Sequence, residues 1–365
     1  MLEKTPVQAS TNRLMADLAS SVPGGMGRMV RAMVGVGQDD SAVIRPPAGP
    51  IWWSARLLQL CCCVYGAPVE RAVPVGACLA LLGIASSVLD AAQDGHHDLL
   101  QAYGVVPPYA SDRETEERGL DAIGQDQPTW RTGTLEPGQT DSVALIANAS
   151  TALIGLAWQA LLVHGPRYGV EASTLLEIGQ VLGERLVEVC EAQHRDLTLG
   201  RTPGQSLEEY DRIIAGKTGQ IDGTACEIGA VLAGVPHHRA LWRTLAAERA
   251  VAQQLYDDYK DFRDDLLNCG QISHPTLYGL TVADAARREA ILTLLDQARS
   301  NTSDAEGAVD GLTALLGDMG APYYTLTCMV LHRNRAIAAL ESLQLPTEPH
   351  EWLHRWIMCV APAIV

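Results

Sequence analysis

The sequence predicts an all-α protein, built as a single large helical bundle. Three observations lead to this prediction. Apolar residues recur with a period close to 3.6 along nearly the whole chain, the alternating runs typical of β-strands are missing, and several segments are apolar around most of the helix circumference. Segments of the last kind must be surrounded by other helices. A chain of 365 residues with 47% apolar content is long enough to bury such a core.

Long helices are predicted wherever the 3.6-residue period is sustained over several turns. Proline and glycine separate the predicted helices, as in GRTPGQS and GAPYY, and mark the turns between them. The predicted long helices cover residues 51–66, 69–94, 141–163, 172–193, 238–262 and 323–343.

Two stretches lack this period. Residues 1–48, rich in Gly, Pro and Ser, are predicted to be an irregular or partly helical extension. Residues 104–139 contain PPYASDRETEERGL and TLEPGQTD and are too long for an ordinary loop, so a lid or a disordered insertion is expected there. Residues 49–365 are otherwise predicted to form one domain.

Composition excludes several classes of protein. A net charge of −16 with no basic cluster argues against a nucleic-acid partner. None of the nine cysteines lies at zinc-like spacing with histidine, and all are interpreted as small buried side chains of a reducing compartment. The N-terminus lacks the apolar region of a signal peptide, and no run of about twenty apolar residues predicts a membrane span. A cytoplasmic protein without stable membrane insertion is therefore expected.

The stretch YDDYKDFRDD, residues 256–265, concentrates negative charge at the end of a predicted helix. Asp257 and Asp261 are four residues apart and share a face, with Asp258 beside them. Like charges at this spacing repel one another and weaken an isolated helix. A counter-ion is therefore expected near them.

A second acidic helix end lies upstream, in ASSVLDAAQDGHHD, where Asp90, Asp94 and Asp98 follow at intervals of four. Two such ends favour a shared cation, and Mg²⁺ suits them because it binds a few carboxylates together with substrate phosphates and keeps water ligands. A solvated acidic helix end is the better explanation for either stretch alone. The presence of two acidic helix ends in one chain favours a bound metal ion over a solvated surface.

A third element lies between them, in residues 190–234, and all three together resemble the trans-isoprenyl diphosphate synthase superfamily, the polyprenyl synthetases and their relatives. The superfamily's second aspartate motif, Gln-x-x-Asp-Asp-x-x-Asp, is complete, whereas its first, Asp-Asp-x-x-Asp, is partial because Ala91 replaces an aspartate. The resemblance covers about residues 49–280. The matching positions are Gln193, Asp196, Leu197, Tyr210, Lys217, Thr218, Gly219, Gln254, Asp257, Asp258 and Asp261, with Asp90 and Asp94 for the partial motif.

This resemblance implies the isoprenoid synthase fold, a helical bundle around a central apolar cavity, as a homodimer. Two acidic faces at the cavity mouth would hold Mg²⁺ ions, three of them expected, on the diphosphate of an allylic prenyl substrate. Metal and Lys217 would neutralise the departing diphosphate, and the dry cavity would protect the carbocation. The implied metal ligands are Asp90, Asp94, Asp257 and Asp261, with Asp258 in support; the implied diphosphate contacts are Lys217, Gln254, Arg263 and Gln193.

The chain departs from the superfamily where chain-elongating members bind isopentenyl diphosphate. The superfamily's Gly-Gly-Lys-x-x-Arg-Pro run falls on residues 49–55, which carry no positive charge, and Ser54 takes the place of its arginine. A second diphosphate without cations would leave its charges uncompensated. Trp52 and Trp53 lie in the same run and are expected either to stabilise a migrating cation, at about 0.5–2 kcal/mol each, or simply to pack in the core.

Cavity length has one indication in the sequence. In the superfamily, bulky residues four and five positions before the first aspartate close the cavity, and here these are Ser86 and Ala85. Small side chains at this wall favour a donor of about fifteen carbons or longer.

The leading hypothesis is therefore a Mg²⁺-dependent class I terpene synthase that ionises an allylic prenyl diphosphate and cyclises or quenches the cation. The alternative is a prenyltransferase that uses another acceptor, or isopentenyl diphosphate through an altered site. A hypothesis of a different class is a non-catalytic partner subunit of a prenyl synthase. Ala91 keeps that hypothesis open, whereas the complete motif at Asp257 and Asp261 argues against it.

Overall fold

A computed structural model describes residues 6–36, 51–94, 100, 142–199, 204–268, 272–299 and 305–360, and every regular element in these ranges is a helix. The all-α prediction is confirmed. In chain order the α-helices are α1 (Pro6–Ser20), α2 (Gly24–Val34), α3 (Ile51–Val64), α4 (Ala72–Asp94), α5 (Ser142–Gln159), α6 (Ala172–Leu199), α7 (Leu207–Lys217), α8 (Gly219–Leu232), α9 (Arg239–Lys260), α10 (Phe262–Asn268), α11 (His274–Val282), α12 (Ala285–Ala298), α13 (Ala305–Asp318), α14 (Ala321–Ser342) and α15 (Thr347–Met358).

The chain divides into two compact units. The first comprises Met1–Trp52 and Val73–Gly165, and the second comprises Trp53–Ala72 and Pro166–Val365. A single domain over residues 49–365 therefore stays a prediction. The insertion predicted at 104–139 lies outside the described residues.

In the first unit, α1 and α2 pack on each other and on α5. Sequence composition predicted an irregular or partly helical extension here, because glycine and proline usually end helices. One glycine of α2, Gly27, serves packing instead. A Cβ on Gly27 would lie 1.9 Å from the carbonyl oxygen of Val22, so only glycine fits that contact, and Gly35 ends α2 at a φ of 78°.

In the second unit, α9 is the central helix and packs most extensively on α14 and α8. Gly219 allows the close approach of α8, because a Cβ there would lie 2.8 Å from the Cα of Ala247. Ser206 caps the N-terminus of α7, and its Oγ accepts a hydrogen bond of 3.1 Å from the backbone N–H of Glu209. These contacts fix α7 and α8 beside α9, which carries the second acidic motif.

Two helical stretches are long and apolar enough to cross a membrane by length and composition, Val69–Gln93 and Val143–Tyr168. In the first, 78% of the apolar window is buried, as in a core helix, and in the second 44% is buried. Length and composition alone are weak evidence for a span. The expectation of a protein without stable membrane insertion stays a prediction.

Candidate active site

Asp258 is the buried anchor of the second acidic motif, with 2% of its surface exposed. Its Oδ2 accepts hydrogen bonds from the Tyr210 hydroxyl and, at 2.9 Å, from the backbone N–H of His274. Its Oδ1 accepts one from Gln254 Nε2, also at 2.9 Å. The carboxylate thereby ties α7 and the first turn of α11 to α9. With both oxygens engaged, Asp258 is placed to position the motif rather than to bind metal.

Tyr210 is suited to hold this carboxylate. Burial, followed by the negative charge of Asp258, raises the pKa of its phenol well above the ordinary value. The hydroxyl therefore stays protonated and keeps donating to Asp258. The superfamily pattern marks Tyr210 in the sequence, but without a role; the contact with Asp258 supplies one.

His274, whose backbone N–H donates to Asp258, has a neutral side chain. Burial lowers the pKa of its imidazole to about 4. Thr325 Oγ1 donates to the carbonyl oxygen of Ala321 at 3.1 Å, so at its 2.9 Å contact with His274 Nδ1 the threonine must accept. The proton of the imidazole is thus assigned to Nδ1. No local motif marks His274 in the sequence.

Asp257 and Asp261 remain accessible, with 38% and 41% of their side-chain surfaces exposed. Lys260 lies between them, its Nζ 3.8 Å from Asp257 Oδ1 and 3.0 Å from Asp261 Oδ2. Gln253 Nε2 donates to both oxygens of Asp257, at 3.2 and 3.1 Å. Burial raises the pKa of Asp257, while Gln253 and Lys260 oppose that rise. The two carboxylates are therefore arranged to share one cation.

A divalent cation fits this arrangement. Lys260 already places a positive charge between the two carboxylates, and oxygen ligands completed by water and phosphate are what Mg²⁺ prefers. Among the described residues, no group of three or more His, Cys, Asp or Glu side chains is arranged to hold a metal ion by itself. Metal binding at Asp257 and Asp261 would therefore need further oxygen ligands, such as water and substrate phosphate.

Lys217 and Asp196, which lie on different helices of the structure, are brought together. The Nζ of Lys217, at the end of α7, lies 2.7 Å from Asp196 Oδ2 on α6. Gln193 precedes Asp196 by three residues on α6 and is half-buried, so both lie on one face of the helix. A diphosphate contact from Lys217 would compete with Asp196, and this role stays a prediction.

Arg263 has a different partner from the one expected. On α10 its guanidinium pairs with Asp310 of α13, and both side chains are largely exposed. The prediction that Arg263 touches the diphosphate would require this pair to open. An exposed ion pair of this kind is weak, worth about 0–1 kcal/mol. Opening the pair between Arg263 and Asp310 would therefore cost little free energy.

The first acidic motif lies in the first unit, at the end of α4. Asp90 is half-buried, and the side chain of Asp94 lies outside the described residues. Ala85 is buried and Ser86 half-buried on the same helix. The side chains of Trp52 and Trp53 also lie outside the described residues. The approach of the two aspartate motifs to each other, and the cavity roles of these four residues, stay predictions.

A charged cluster centred on His332 was also not predicted from the sequence. His332 on α14 lies between two carboxylates, its Nδ1 2.8 Å from Glu248 Oε2 on α9 and its Nε2 3.7 Å from Asp211 Oδ2 on α7. Burial lowers the pKa of this imidazole, but Asp211 and Glu248 outweigh burial and raise it to about 9. His332 is therefore protonated at neutral pH and joins three helices through charge.

Replacing His332 by Gln is expected to remove a pH dependence of stability. The folded pKa of about 9 exceeds the ordinary value of 6.5, so the stabilisation is complete below the ordinary value and is lost as pH rises through 9. Urea unfolding between about pH 6 and pH 10 should show the wild type losing about 2–3 kcal/mol, and the variant much less. Equal losses in both proteins would contradict this role.

The fold and the site together define a helical protein with two accessible carboxylates, Asp257 and Asp261, at the end of a central helix. A family model described as Polyprenyl synthetase matches residues 126–312. The chain belongs to this family, as its resemblance to the trans-isoprenyl diphosphate synthases predicted.

Solved structures support the same fold. A decaprenyl diphosphate synthase from Rhodobacter capsulatus is 15% identical with a TM-score of 0.70, covering 98% of this chain and 96% of its own. A polyprenyl synthetase from Streptomyces coelicolor A3(2) is 18% identical with a TM-score of 0.70, covering 97% of each chain. A polyprenyl synthase from Caulobacter crescentus CB15, complexed with calcium and isoprenyl diphosphate, is 18% identical with a TM-score of 0.63, covering 99% and 98%. A search of curated proteins finds no match.

Proposed function

We propose that this protein ionises an allylic prenyl diphosphate at a divalent-metal site and transfers the prenyl group to an acceptor. One observation carries the proposal. Asp257 and Asp261 are exposed and share a single cationic neighbour, whereas Asp258 between them is buried and fully hydrogen-bonded. This division is what a metal-binding turn requires, because the ligands must be free while their backbone is held. Membership of the polyprenyl synthetase family supports the same reaction class.

Asp257 and Asp261 would hold Mg²⁺, together with Asp90 and Asp94 of the first motif. When bound, the metal supplies positive charge that stabilises the departing diphosphate. The structure from Caulobacter crescentus is described as complexed with calcium and isoprenyl diphosphate, which supports a divalent ion and a prenyl diphosphate as ligands in this proposal. The number of ions, expected to be three, is part of the proposal.

The chain's own residues orient and neutralise the donor. The C1–oxygen bond of the donor breaks with both electrons leaving on the diphosphate, and an electron pair of the acceptor forms the new bond to C1. The acceptor then loses a proton, which an oxygen of the departing diphosphate would accept. Lys217 would exchange Asp196 for the departing diphosphate and offset part of its charge. Gln254 donates to Asp258, so in this proposal it keeps the metal-binding turn in place and contacts the substrate only secondarily.

Cyclisation of the donor is the second candidate. It is favoured by a specific feature of the second unit: Ser54, which takes the place of the superfamily's arginine, donates to the carboxylate of Asp222 at 3.0 Å. Negative charge at this place disfavours a second diphosphate. A terpene synthase would then use the same metal-binding turn, and the cation would react with its own double bonds.

A cytoplasmic homodimer is the proposed form of the enzyme. Helix α6 exposes Leu176 at 76% and Val187 at 69%. Large apolar side chains exposed along one helix are unusual on a monomer and are typical of an interaction surface. Light scattering of the purified protein would test the dimer.

The reaction is tested with purified protein, Mg²⁺, and geranyl, farnesyl or geranylgeranyl diphosphate, each with and without isopentenyl diphosphate. Diphosphate release and mass spectrometry of the products are the readouts. Longer diphosphates formed only with isopentenyl diphosphate would establish chain elongation, and a hydrocarbon or alcohol from the donor alone would establish the terpene synthase. No release of diphosphate from any donor would contradict both and leave the partner-subunit hypothesis.

A further inference from the structure

Lys260 is the cation that the two accessible aspartates share in this structure. It is the last residue of α9, and its Nζ lies 3.0 Å from Asp261 Oδ2 and 3.8 Å from Asp257 Oδ1. The ammonium group of a lysine carries a positive charge at neutral pH. Any second cation that binds both carboxylates must therefore compete with Lys260 for the same oxygens.

The turn that carries the two aspartates is held by contacts that do not involve the side chain of Lys260. The backbone N–H of Asp261 donates to the carbonyl oxygen of Asp257 at 2.7 Å and closes the last turn of α9. Gln253 Nε2 donates to both carboxylate oxygens of Asp257, at 3.2 and 3.1 Å. Departure of the ammonium group from the aspartates would leave these hydrogen bonds intact.

The side chain of Lys260 is able to move away from the aspartates. It is 53% exposed, and Asp257 and Asp261 are exposed as well, at 38% and 41%. Ion pairs between exposed side chains are weak, because water screens the charges and the pair restricts two mobile side chains. The flexible four-carbon stem of lysine lets the ammonium group take a new position without a change in the backbone.

The charge balance of the turn favours such a movement when a divalent cation binds. Asp257 and Asp261 carry two negative charges, which one divalent cation matches. The charge of Lys260 is then in excess, and it is repelled by a cation a few ångströms away. An anion bound beside that cation attracts the ammonium group instead, and a lysine ammonium group offers three donors to phosphate oxygens.

We propose that Lys260 exchanges partners on ligand binding: it neutralises Asp257 and Asp261 until a divalent cation binds them, and then donates to the diphosphate beside that cation. The inference rests on the proposed function, in which a prenyl diphosphate binds at this turn. It gives Lys260 two opposite effects, since the lysine weakens binding of the metal and strengthens binding of the diphosphate. A lysine that only stabilised the C-terminal end of α9 would have neither effect.

Binding of Mn²⁺ without substrate, followed by electron paramagnetic resonance, tests the competition with the metal. Lys260→Met removes the charge, keeps a long unbranched side chain, and is expected to bind Mn²⁺ about fivefold more tightly than the wild type. Lys260→Arg keeps the charge and should bind Mn²⁺ no more tightly than the wild type. Arg355→Met is the matched control, because it removes the same charge from the last turn of α15, where the side chain is 68% exposed. Its affinity should stay within about twofold of the wild type.

Calorimetric titration with inorganic pyrophosphate at saturating Mg²⁺ tests the contact with the diphosphate. Lys260→Met is expected to bind pyrophosphate about fivefold more weakly than the wild type, and Lys260→Arg should stay close to it. Circular dichroism confirms that each variant is folded. An unchanged dissociation constant for either ligand in Lys260→Met would overturn the inference. Binding of neither Mn²⁺ nor pyrophosphate by the wild type would instead overturn the proposed function.

Discussion

Asp257→Asn is expected to abolish Mg²⁺-dependent release of diphosphate, lowering the rate by about 10³-fold or more. The asparagine has the same shape, and Gln253 remains beside it, so the turn should keep its conformation. What is lost is one of two carboxylates that share a cation, and with it several kcal/mol of charge stabilisation at the leaving group, about 4 kcal/mol for 10³-fold. The rate of diphosphate release from farnesyl diphosphate, measured over a range of Mg²⁺ concentrations, checks the prediction.

Asp296→Asn is the matched control for this change. Asp296 is an exposed carboxylate on α12, outside the acidic motif, so removing its charge should leave the rate within about twofold of the wild type. Should Asp257→Asn retain a tenth or more of the wild-type rate at saturating Mg²⁺, Asp257 is not a metal ligand in the reaction, and the proposed site would have to be moved.

Asp258→Ala is expected to cost about 3–5 kcal/mol of unfolding free energy, the largest stability effect at this site. The change removes a buried carboxylate and leaves the Tyr210 hydroxyl, the Gln254 amide and the backbone N–H of His274 without their acceptor. Each stranded donor costs about 1–3 kcal/mol, partly relieved by water or local movement. Urea unfolding followed by circular dichroism measures the loss.

Two milder variants separate positioning from folding. Asp258→Asn keeps the shape and one acceptor oxygen, and Tyr210→Phe removes a single donor, so both should fold. Because the anchor orients Asp257 and Asp261, both variants should need more Mg²⁺ for half-maximal activity, by about tenfold for Asp258→Asn. If Asp258→Ala were as stable as the wild type, or the milder variants had wild-type Mg²⁺ dependence, Asp258 would not be the anchor.

Long helices are the part of the fold that could be predicted closely. The stretch read as helical at 238–262 is α9 (Arg239–Lys260), and the one at 323–343 is α14 (Ala321–Ser342). Both have a sustained 3.6-residue period, which reflects burial of one face and is a local property of the sequence. Helices α1 and α2 were not predicted in this way, because their glycines and prolines suggest loops unless a close packing contact such as that of Gly27 is known.

Within the candidate site, residue types were predictable and residue roles were not. The spacing of Asp257 and Asp261 and the superfamily pattern identify the acidic turn from the sequence. Nothing local distinguishes Asp257, which stays accessible, from Asp258, which is 2% exposed. The difference arises because Tyr210 and His274, which lie 48 and 16 residues away in the chain, arrive at Asp258.

The sequence by itself determined the all-α class, the extent of the long helices, the membership of the family and the presence of an acidic turn at Asp257 and Asp261. Each of these follows from short-range periodicity or from motifs whose members lie within a few residues of one another. Only the tertiary structure decided which aspartate is the anchor and that Lys217 pairs with Asp196. These contacts join separate helices, and burial and charge at such contacts depend on how the helices pack, which no local pattern records.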